Sequence, residues 1–345
     1  KKSKMNMETA RPRVFYLPSP YQAHVDSPQS PEMPMTQDDF KKSDSNSDQS
    51  TSSGVLSPFF PAAPALERKC TASLVGDKYL ILDIPEGSTL NKCINVQTQE
   101  ELICKVIGRE AGGLLSAHYR MDGHPHVNSL REVLLGDKLL YLVFPPSKGG
   151  DLHSHVRLRK RLREPVARKL FRQMVNTVKA CHDKGIVLRD LKLRKFVFSD
   201  TQKTHIKLET LEDAVVLDNP EDDMLHDKRG CPAYVSPEIL RSHVPYSGKA
   251  ADMWSLGVIL FTMLVGRYPF SDLDHTNLFK KISRGNFNIP DTVSNKAKCL
   301  IRNLMRREPR ERISSEDVLL HPWVVQDDEE TEIAQRTDQV VPNID

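Results

Sequence analysis

The stretch Ile186-Val187-Leu188-Arg189-Asp190-Leu191-Lys192-Leu193-Arg194-Lys195 runs into Phe196-Val197-Phe198 and decides the fold. Two apolar runs frame a charged island. Asp190 offers a carboxylate able to accept a proton, and Lys192 follows two positions later. Lys195, five positions after Asp190, has three N–H donors and no lone pair, so it cannot ligate Mg²⁺.

The spacing resembles the catalytic loop of protein kinases, in which an Asp takes the substrate proton and an Asn five positions later holds a metal ion. Lys195 stands at the Asn position and Leu188 at the position of the preceding His. Further matches follow in kinase order. Gly230-Cys231-Pro232-Ala233-Tyr234-Val235-Ser236-Pro237-Glu238 resembles the substrate-facing loop, with Cys231 in place of Thr. Asp252-Met253-Trp254-Ser255-Leu256-Gly257-Val258 resembles the buried central helix of the large lobe. The resemblance pairs Arg312 with Glu238, and Leu320-His321-Pro322-Trp323 closes the domain. It implies an α+β, two-lobed protein-kinase-like fold: a small antiparallel β lobe, a larger helical lobe, and disordered tails.

Composition agrees with that size. The 345 residues suit one two-lobed domain with tails, and a hydrophobic fraction of 39% leaves part of the chain outside a core. A net charge of +3 gives no general pull towards nucleic acid or membrane. No apolar run approaches the roughly 20 residues of a bilayer span, and no signal-peptide pattern opens the chain. The six cysteines (Cys70, Cys93, Cys104, Cys181, Cys231, Cys299) lie far apart, which favours buried free thiols over disulfides or a metal site. A soluble, intracellular protein is expected.

Three regions follow: a tail over 1–67, a kinase-like domain over 68–325, and a tail over 326–345. The first tail is rich in Pro, Ser, Asp and Gln and has no helix or strand period. Its pairs Ser19-Pro20, Ser27-Pro28, Ser30-Pro31 and Ser57-Pro58 are candidate phosphosites, although such pairs are common in tails of this composition. Leu56, Phe59 and Phe60 form a small apolar cluster that either docks on a partner or marks the approach to the domain.

The small lobe extends to about residue 144 and the large lobe covers 151–325. Tyr79-Leu80-Ile81-Leu82, the segments 92–96 and 102–106, and Leu139 to Phe144 read as strands, with Gln97 to Glu100 as a hairpin turn. Lys105 falls where kinases keep the nucleotide-binding lysine, against the plain reading of a strand lysine on a solvated face. The phosphate-loop glycines would fall at Asp83, Pro85 and Ser88, and none is Gly. Side chains there keep the backbone from the phosphates, Pro85 removes a donor, and Asp83 and Glu86 add negative charge. Between Ala111 and Leu130 no Glu is available to hold Lys105, and Gly112-Gly113 argues for a short or bent helix. His124 and His126 read as structural rather than metal-ligating.

In the large lobe, Pro145 to Gly150 reads as the hinge, and apolar positions from Val166 to Cys181 mark an amphipathic helix. The basic run Arg157 to Arg163 suits an import signal or an acidic partner, and better suits a solvated helix-to-helix connection. Thr210-Leu211-Glu212 occupies the metal-binding Asp-Phe-Gly position, so the metal carboxylate is replaced by a hydroxyl. Glu209, Glu212 or Asp213 could supply a displaced ligand, although a shift of one or two residues redirects the side chain. From Asp213 to Ala233 there is no Ser, Thr or Tyr, so phosphorylation cannot switch that segment in the usual way, although Tyr234 and Ser236 follow it.

Several of these stretches together resemble the Tribbles pseudokinases: Leu188 to Phe196, Leu208 to Asp213, Tyr246 to Asp252, Val265 to Phe270, and the terminal Asp338-Gln339-Val340-Val341-Pro342. Thr210 and Val324 depart from the family pattern, where Ser and Phe are usual. The resemblance implies an adaptor in which the pseudokinase domain presents a target. A tail motif, here Asp338, Gln339, Val341 and Pro342, recruits an E3 ubiquitin ligase of the constitutively photomorphogenic type. Implied targets are transcription factors or cell-cycle and signalling proteins, in nucleus and cytoplasm. MAP-kinase kinases and an Akt-type kinase are further implied partners. A kinase-kinase motif would fall at His321, Pro322 and Trp323, although Trp323 also fits lobe packing. Lys105, Asp190 and Lys192 are then vestigial, and no metal or cofactor is needed. The alternative is a weak, metal-independent ATP-binding serine/threonine kinase in which Lys195 supplies the charge of the absent metal.

Overall fold

The computed structural model describes residues 13–16, 72–82, 90–109, 112–241 and 243–326. These divide into two compact units, one built on a sheet (to 109, and 130–146) and one mainly helical (112–129, and 147 onward). The segment 112–129, placed in the small lobe by sequence, groups with the helical unit. The phosphate-loop positions Asp83, Pro85, Glu86, Gly87 and Ser88 lie outside the described residues, as do Leu56, Phe59, Phe60 and the Ser-Pro pairs.

The sheet unit has seven strands: β1 (Arg13–Tyr16), β2 (Ala72–Val75), β3 (Tyr79–Leu82), β4 (Asn91–Asn95), β5 (Glu101–Gly108), β6 (Glu132–Leu135) and β7 (Leu139–Phe144). Their order is β1-β6-β7-β5-β4-β3-β2. Alternation explains the face they share. Tyr79 and Ile81, Cys93, Leu102 and Cys104, and Tyr141 and Val143 turn to one side and form a buried cluster with Val75 and Leu134. The turn expected at Gln97 to Glu100 forms because Asn95 Oδ1 accepts from the N–H groups of Gln97 (3.0 Å) and Thr98 (3.2 Å). β1 interrupts the expected unstructured tail by pairing in parallel with β6. β2 and β6 also escape sequence reading, being four residues each, with β6 opening on a charged residue.

That charge is the polar anchor of the sheet. Glu132 is buried and accepts Lys78 Nζ at 2.6 Å and the Tyr79 hydroxyl. Burial, reinforced by the Glu132 carboxylate, holds the Tyr79 phenol above its ordinary pKa.

The helical unit begins with α1 (Gly112–Arg120), nine residues long as the two glycines suggest. Next come α2 (Leu152–Arg159), capped by Asp151 on the Ser154 N–H, and the long α3 (Glu164–Asp183). Short strands β8 (Ile186–Val187), β9 (Phe196–Phe198), β10 (Ile206–Leu208), β11 (Val215–Val216), β12 (Met224–Leu225) and β13 (Tyr246–Ser247) shape the loops. α4 (Gly248–Val265) is apolar enough by composition to cross a membrane, but it is packed as the core helix of this unit. α5 (His275–Arg284), α6 (Asn295–Leu304), α7 (Ser315–Leu320) and α8 (Pro322–Val325) complete it. α4 and α6 approach closely because a Cβ on Gly257 would lie 2.5 Å from Met305 Cγ. Arg312 and Glu238 form the expected pair, bidentate and buried, at 2.5 and 2.6 Å.

Glu132→Ala removes an acceptor of the buried Tyr79 hydroxyl and a charge partner of Lys78. The cost expected is about 2–4 kcal/mol, read as a lower midpoint in denaturant unfolding.

Candidate functional site

The loop after β8 takes its shape from a carboxylate on α4. Asp252, almost wholly buried, accepts the N–H groups of Leu188 (2.8 Å) and Arg189 (2.9 Å) and bonds His182 Nε2 (2.9 Å). Arg189 is thereby held at φ +61°, in the left-handed region where side chains are strained. Its guanidinium then reaches the Asp213 carbonyl (2.5 Å) and the Asp227 carboxylate. The 3-10 turn Leu193–Lys195 follows, and β9 pairs antiparallel with β10.

On this frame four charges stand in series. Lys192 Nζ lies 2.6 Å from Asp190 Oδ2, Lys195 Nζ lies 3.4 Å from the same oxygen, and Lys195 Nζ also lies 2.5 Å from Asp213 Oδ2. The other Asp190 oxygen accepts the Cys231 N–H at 2.9 Å. Burial alone would raise the Asp213 pKa, but the charge and hydrogen bond of Lys195, with Lys192 and Arg189, bring it below the ordinary carboxylate value. Burial opposes the Lys192 charge, and Asp190 outweighs it, leaving that ammonium above its usual pKa. The series sums to zero charge, with ammonium groups spaced between carboxylates.

Of the candidate displaced metal ligands, Asp213 is therefore the partner of Lys195. For Glu209, burial, then the charges of Asp151 and Glu212, push the carboxyl up to about 7. Among the described residues no group of three or more His, Cys, Asp or Glu is placed to hold a metal ion. The Mg²⁺ that a kinase fold implies does not fit this donor set, because Lys195 and the buried Thr210 stand where two ligands are needed.

The triplet Thr210-Leu211-Glu212 has its own anchor. Leu211 is buried, and its N–H donates to His118 Nε2 of α1 at 3.1 Å. Burial pushes the His118 pKa down to about 4, so the ring is neutral and accepts through Nε2. Sequence reading missed His118, which is one histidine on a short helix. It also missed the role of Asp252, for which a carboxylate in the first turns of an otherwise apolar helix is the available signal.

Lys105 is buried in β5 opposite Leu142 of β7, so it is not on a solvated face. His321 is the N-cap of α8, its Nδ1 accepting from the Trp323 N–H at 3.1 Å. Trp323 is fully buried, donates Nε1–H to Glu164 (2.8 Å), and packs edge-on to Phe171. Only Pro322 of that trio is exposed. The motif Asp338, Gln339, Val341 and Pro342 lies outside the described residues.

A model of the protein kinase domain matches residues 86–324. Tribbles homolog 2 of Mus musculus is 48% identical over 301 residues, which is 86% of this chain and 86% of the relative. Tribbles homolog 3 of Rattus norvegicus is 47% identical over 291 residues, 83% of each chain. Tribbles homolog 1 of Homo sapiens is 50% identical over 246 residues, 71% of this chain and 66% of the relative. The chain belongs to the Tribbles family. In this Tribbles chain the kinase match ends just after Trp323, so the buried tryptophan closes the matched domain.

The neutral His118 has a measurable consequence. Its folded pKa, about 4, lies below the unfolded value of about 6.5, so the unfolded chain binds the extra proton between them. The stabilisation is complete above about pH 6.5 and is lost as pH falls, by about 2 kcal/mol at pH 5. In His118→Gln, which keeps an acceptor for Leu211, the loss of stability from pH 7 to pH 5 should shrink by about that amount in paired denaturant titrations.

Proposed function

We propose that this Tribbles protein is a catalytically impaired pseudokinase that works as an adaptor. Its pseudokinase domain holds a target while Asp338, Gln339, Val341 and Pro342 recruit an E3 ubiquitin ligase of the constitutively photomorphogenic type. The observation that carries the reading is the series Lys192–Asp190–Lys195–Asp213. The carboxylate that would take a substrate proton is already bonded at both oxygens, and an ammonium stands among the groups that would face a metal. Lys195 does not replace the ion as a catalyst, because its single charge is neutralised by two carboxylates that hold it in place.

An adaptor needs fixed surfaces and a linear motif more than it needs turnover. The segment after Asp213 is held by contacts that need no phosphate: Arg189 on Asp227, Tyr246 hydroxyl on the Asp227 carbonyl, and Asp223 on Ser247. The tail motif suits capture as an extended peptide, with Pro342 limiting chain entropy, Val341 filling a pocket and Asp338 meeting a basic rim. Bringing ligase and target onto one chain raises their local concentration, which is the whole of the adaptor's contribution. The proposed targets are transcription factors or signalling proteins in nucleus and cytoplasm, with MAP-kinase kinases and an Akt-type kinase as further partners. The burial of Trp323 favours a packing role for His321, Pro322 and Trp323. No cofactor is required by this reading.

Two measurements separate the adaptor from the weak, metal-independent kinase. Phosphate transfer by the purified chain should stay at background and be unchanged by Asp190→Asn; transfer at ordinary kinase rates, abolished by that substitution, would overturn the reading. Val341→Ala with Pro342→Ala should weaken ligase binding at least tenfold, about 1.4 kcal/mol or more, in a calorimetric titration. Undiminished affinity would remove ligase recruitment from the proposal.

A further inference from the structure

The sheet has one strand that is remote in sequence from all the others. β1 pairs in parallel with β6, whereas every other described pairing in that sheet is antiparallel. The register places Arg13 at Glu132, Val14 at Val133, Phe15 at Leu134 and Tyr16 at Leu135. Between β1 and β2 run residues 17–71, a connection of 55 residues. A two-residue hairpin turn fixes register by its geometry, but a connection of this length does not. The pairing therefore depends on what the strand and the edge offer each other.

The edge is built to need a neighbour. Val133 and Leu134 of β6 are buried, and the one charge on the strand, Glu132, is occupied by Lys78 and Tyr79. Edge strands are normally protected by charge, proline or a bulge, because their open N–H and C=O groups recruit other chains. On β6 none of the four residues is Pro or Lys, and its carboxylate is committed inward. The matching segment has the composition that such an edge selects. Arg13-Val14-Phe15-Tyr16 carries β-branched and aromatic residues and lies between Pro12 and Pro18 in the sequence.

We propose that the outer edge of β6 is a strand-acceptor site, occupied in cis by Arg13–Tyr16, that takes an extended segment of a partner protein in parallel register. The cis segment defines the partner's chemistry: a basic residue at the Glu132 position, then β-branched and aromatic residues at Val133 to Leu135. Four parallel residues make a weak pairing, and a tether supplies only about millimolar effective concentration. A partner segment of micromolar affinity displaces it. The site shares no residue with the ligase motif or the charge series, and it stands or falls independently of the adaptor reading.

The test uses the full chain, unaltered and with Val14→Pro plus Phe15→Pro, which removes adjacent donors so that neither strand alternation can pair. The probe is a labelled synthetic peptide of residues 11–18. It should bind the proline variant saturably and bind the unaltered chain about tenfold more weakly, because the cis segment competes. Hydrogen exchange over Glu132–Leu135 should quicken in the variant and slow again with peptide. Failure to bind the variant, equal affinity for both chains, or equal binding of a peptide carrying the same two prolines would overturn the site. A dimer of the unaltered chain at micromolar concentration, with peptide dissociating it, would overturn the partner in favour of a second copy. Should the variant not fold, a protease site placed within residues 17–71 and cut after folding gives the same readouts from an unaltered strand.

Discussion

The Asp252 carboxylate is the constraint from which the functional loop is built. It sits on α4, inside the apolar core, where an unpaired charge would cost several kcal/mol. It is stable there because two backbone N–H groups and His182 satisfy its oxygens. The same bonds hold Arg189 at positive φ, a strain of about 1–2 kcal/mol. That turn aims the Arg189 guanidinium at Asp213 and Asp227 and sets the path of Asp190. Gly248, at the start of α4, permits the approach, since a Cβ there would meet Val187 at 2.6 Å. None of these contacts involves a metal ligand or a nucleotide. The shape of the loop therefore does not depend on a metal or a nucleotide.

Lys195, at the position where kinases keep an Asn, makes stabilising contacts of its own. Two neighbouring carboxylates, Asp190 and Asp213, would repel each other without a cation between them. Mg²⁺ would satisfy them only while bound. Lys195 does so as a fixed part of the chain, through ion pairs at 3.4 and 2.5 Å. It brings a charge of one and hydrogen-bond donors, so with Lys192 it balances the pair but offers no vacant coordination position to a phosphate. The group that bridges the two carboxylates is thus one that cannot itself ligate a metal.

Legibility followed the range of the interaction. The run Tyr79–Leu82 and the run Leu139–Phe144 coincide with the strands read from sequence, because each carries enough apolar residues to declare itself. The absence of Glu in α1, and its shortness, were equally visible. β1, β2 and β6 are not, since each contains a polar or charged residue that shortens its apolar run, unlike Tyr79–Leu82. The candidate site divided in the same way. Asp190, Lys192 and Lys195 could be named from spacing, but the closure of the series by Asp213, and the His118 anchor of Leu211, needed the chain to be folded. Asp213 reads as a candidate metal ligand because its charge is visible in the sequence and its pairing with Lys195 is not. Trp323 shows the reverse: its burial agrees with the plainer of two readings available from the sequence.

The segment between Asp213 and Ala233 joins these points to function. In a switchable kinase such a segment is ordered by a phosphate that pairs with arginine. Here the positions that would carry phosphate are absent, and Asp227 provides the fixed negative charge that Arg189 requires. Asp223 adds a second clasp, accepting from Ser247 Oγ (2.6 Å) and the Lys249 N–H (2.8 Å) beside β13. A carboxylate cannot be removed by a phosphatase, so order in this segment is set by sequence rather than by signalling state. A surface ordered without a switch is poorly suited to regulated catalysis and well suited to a docking platform, because its partner meets the same geometry at every encounter.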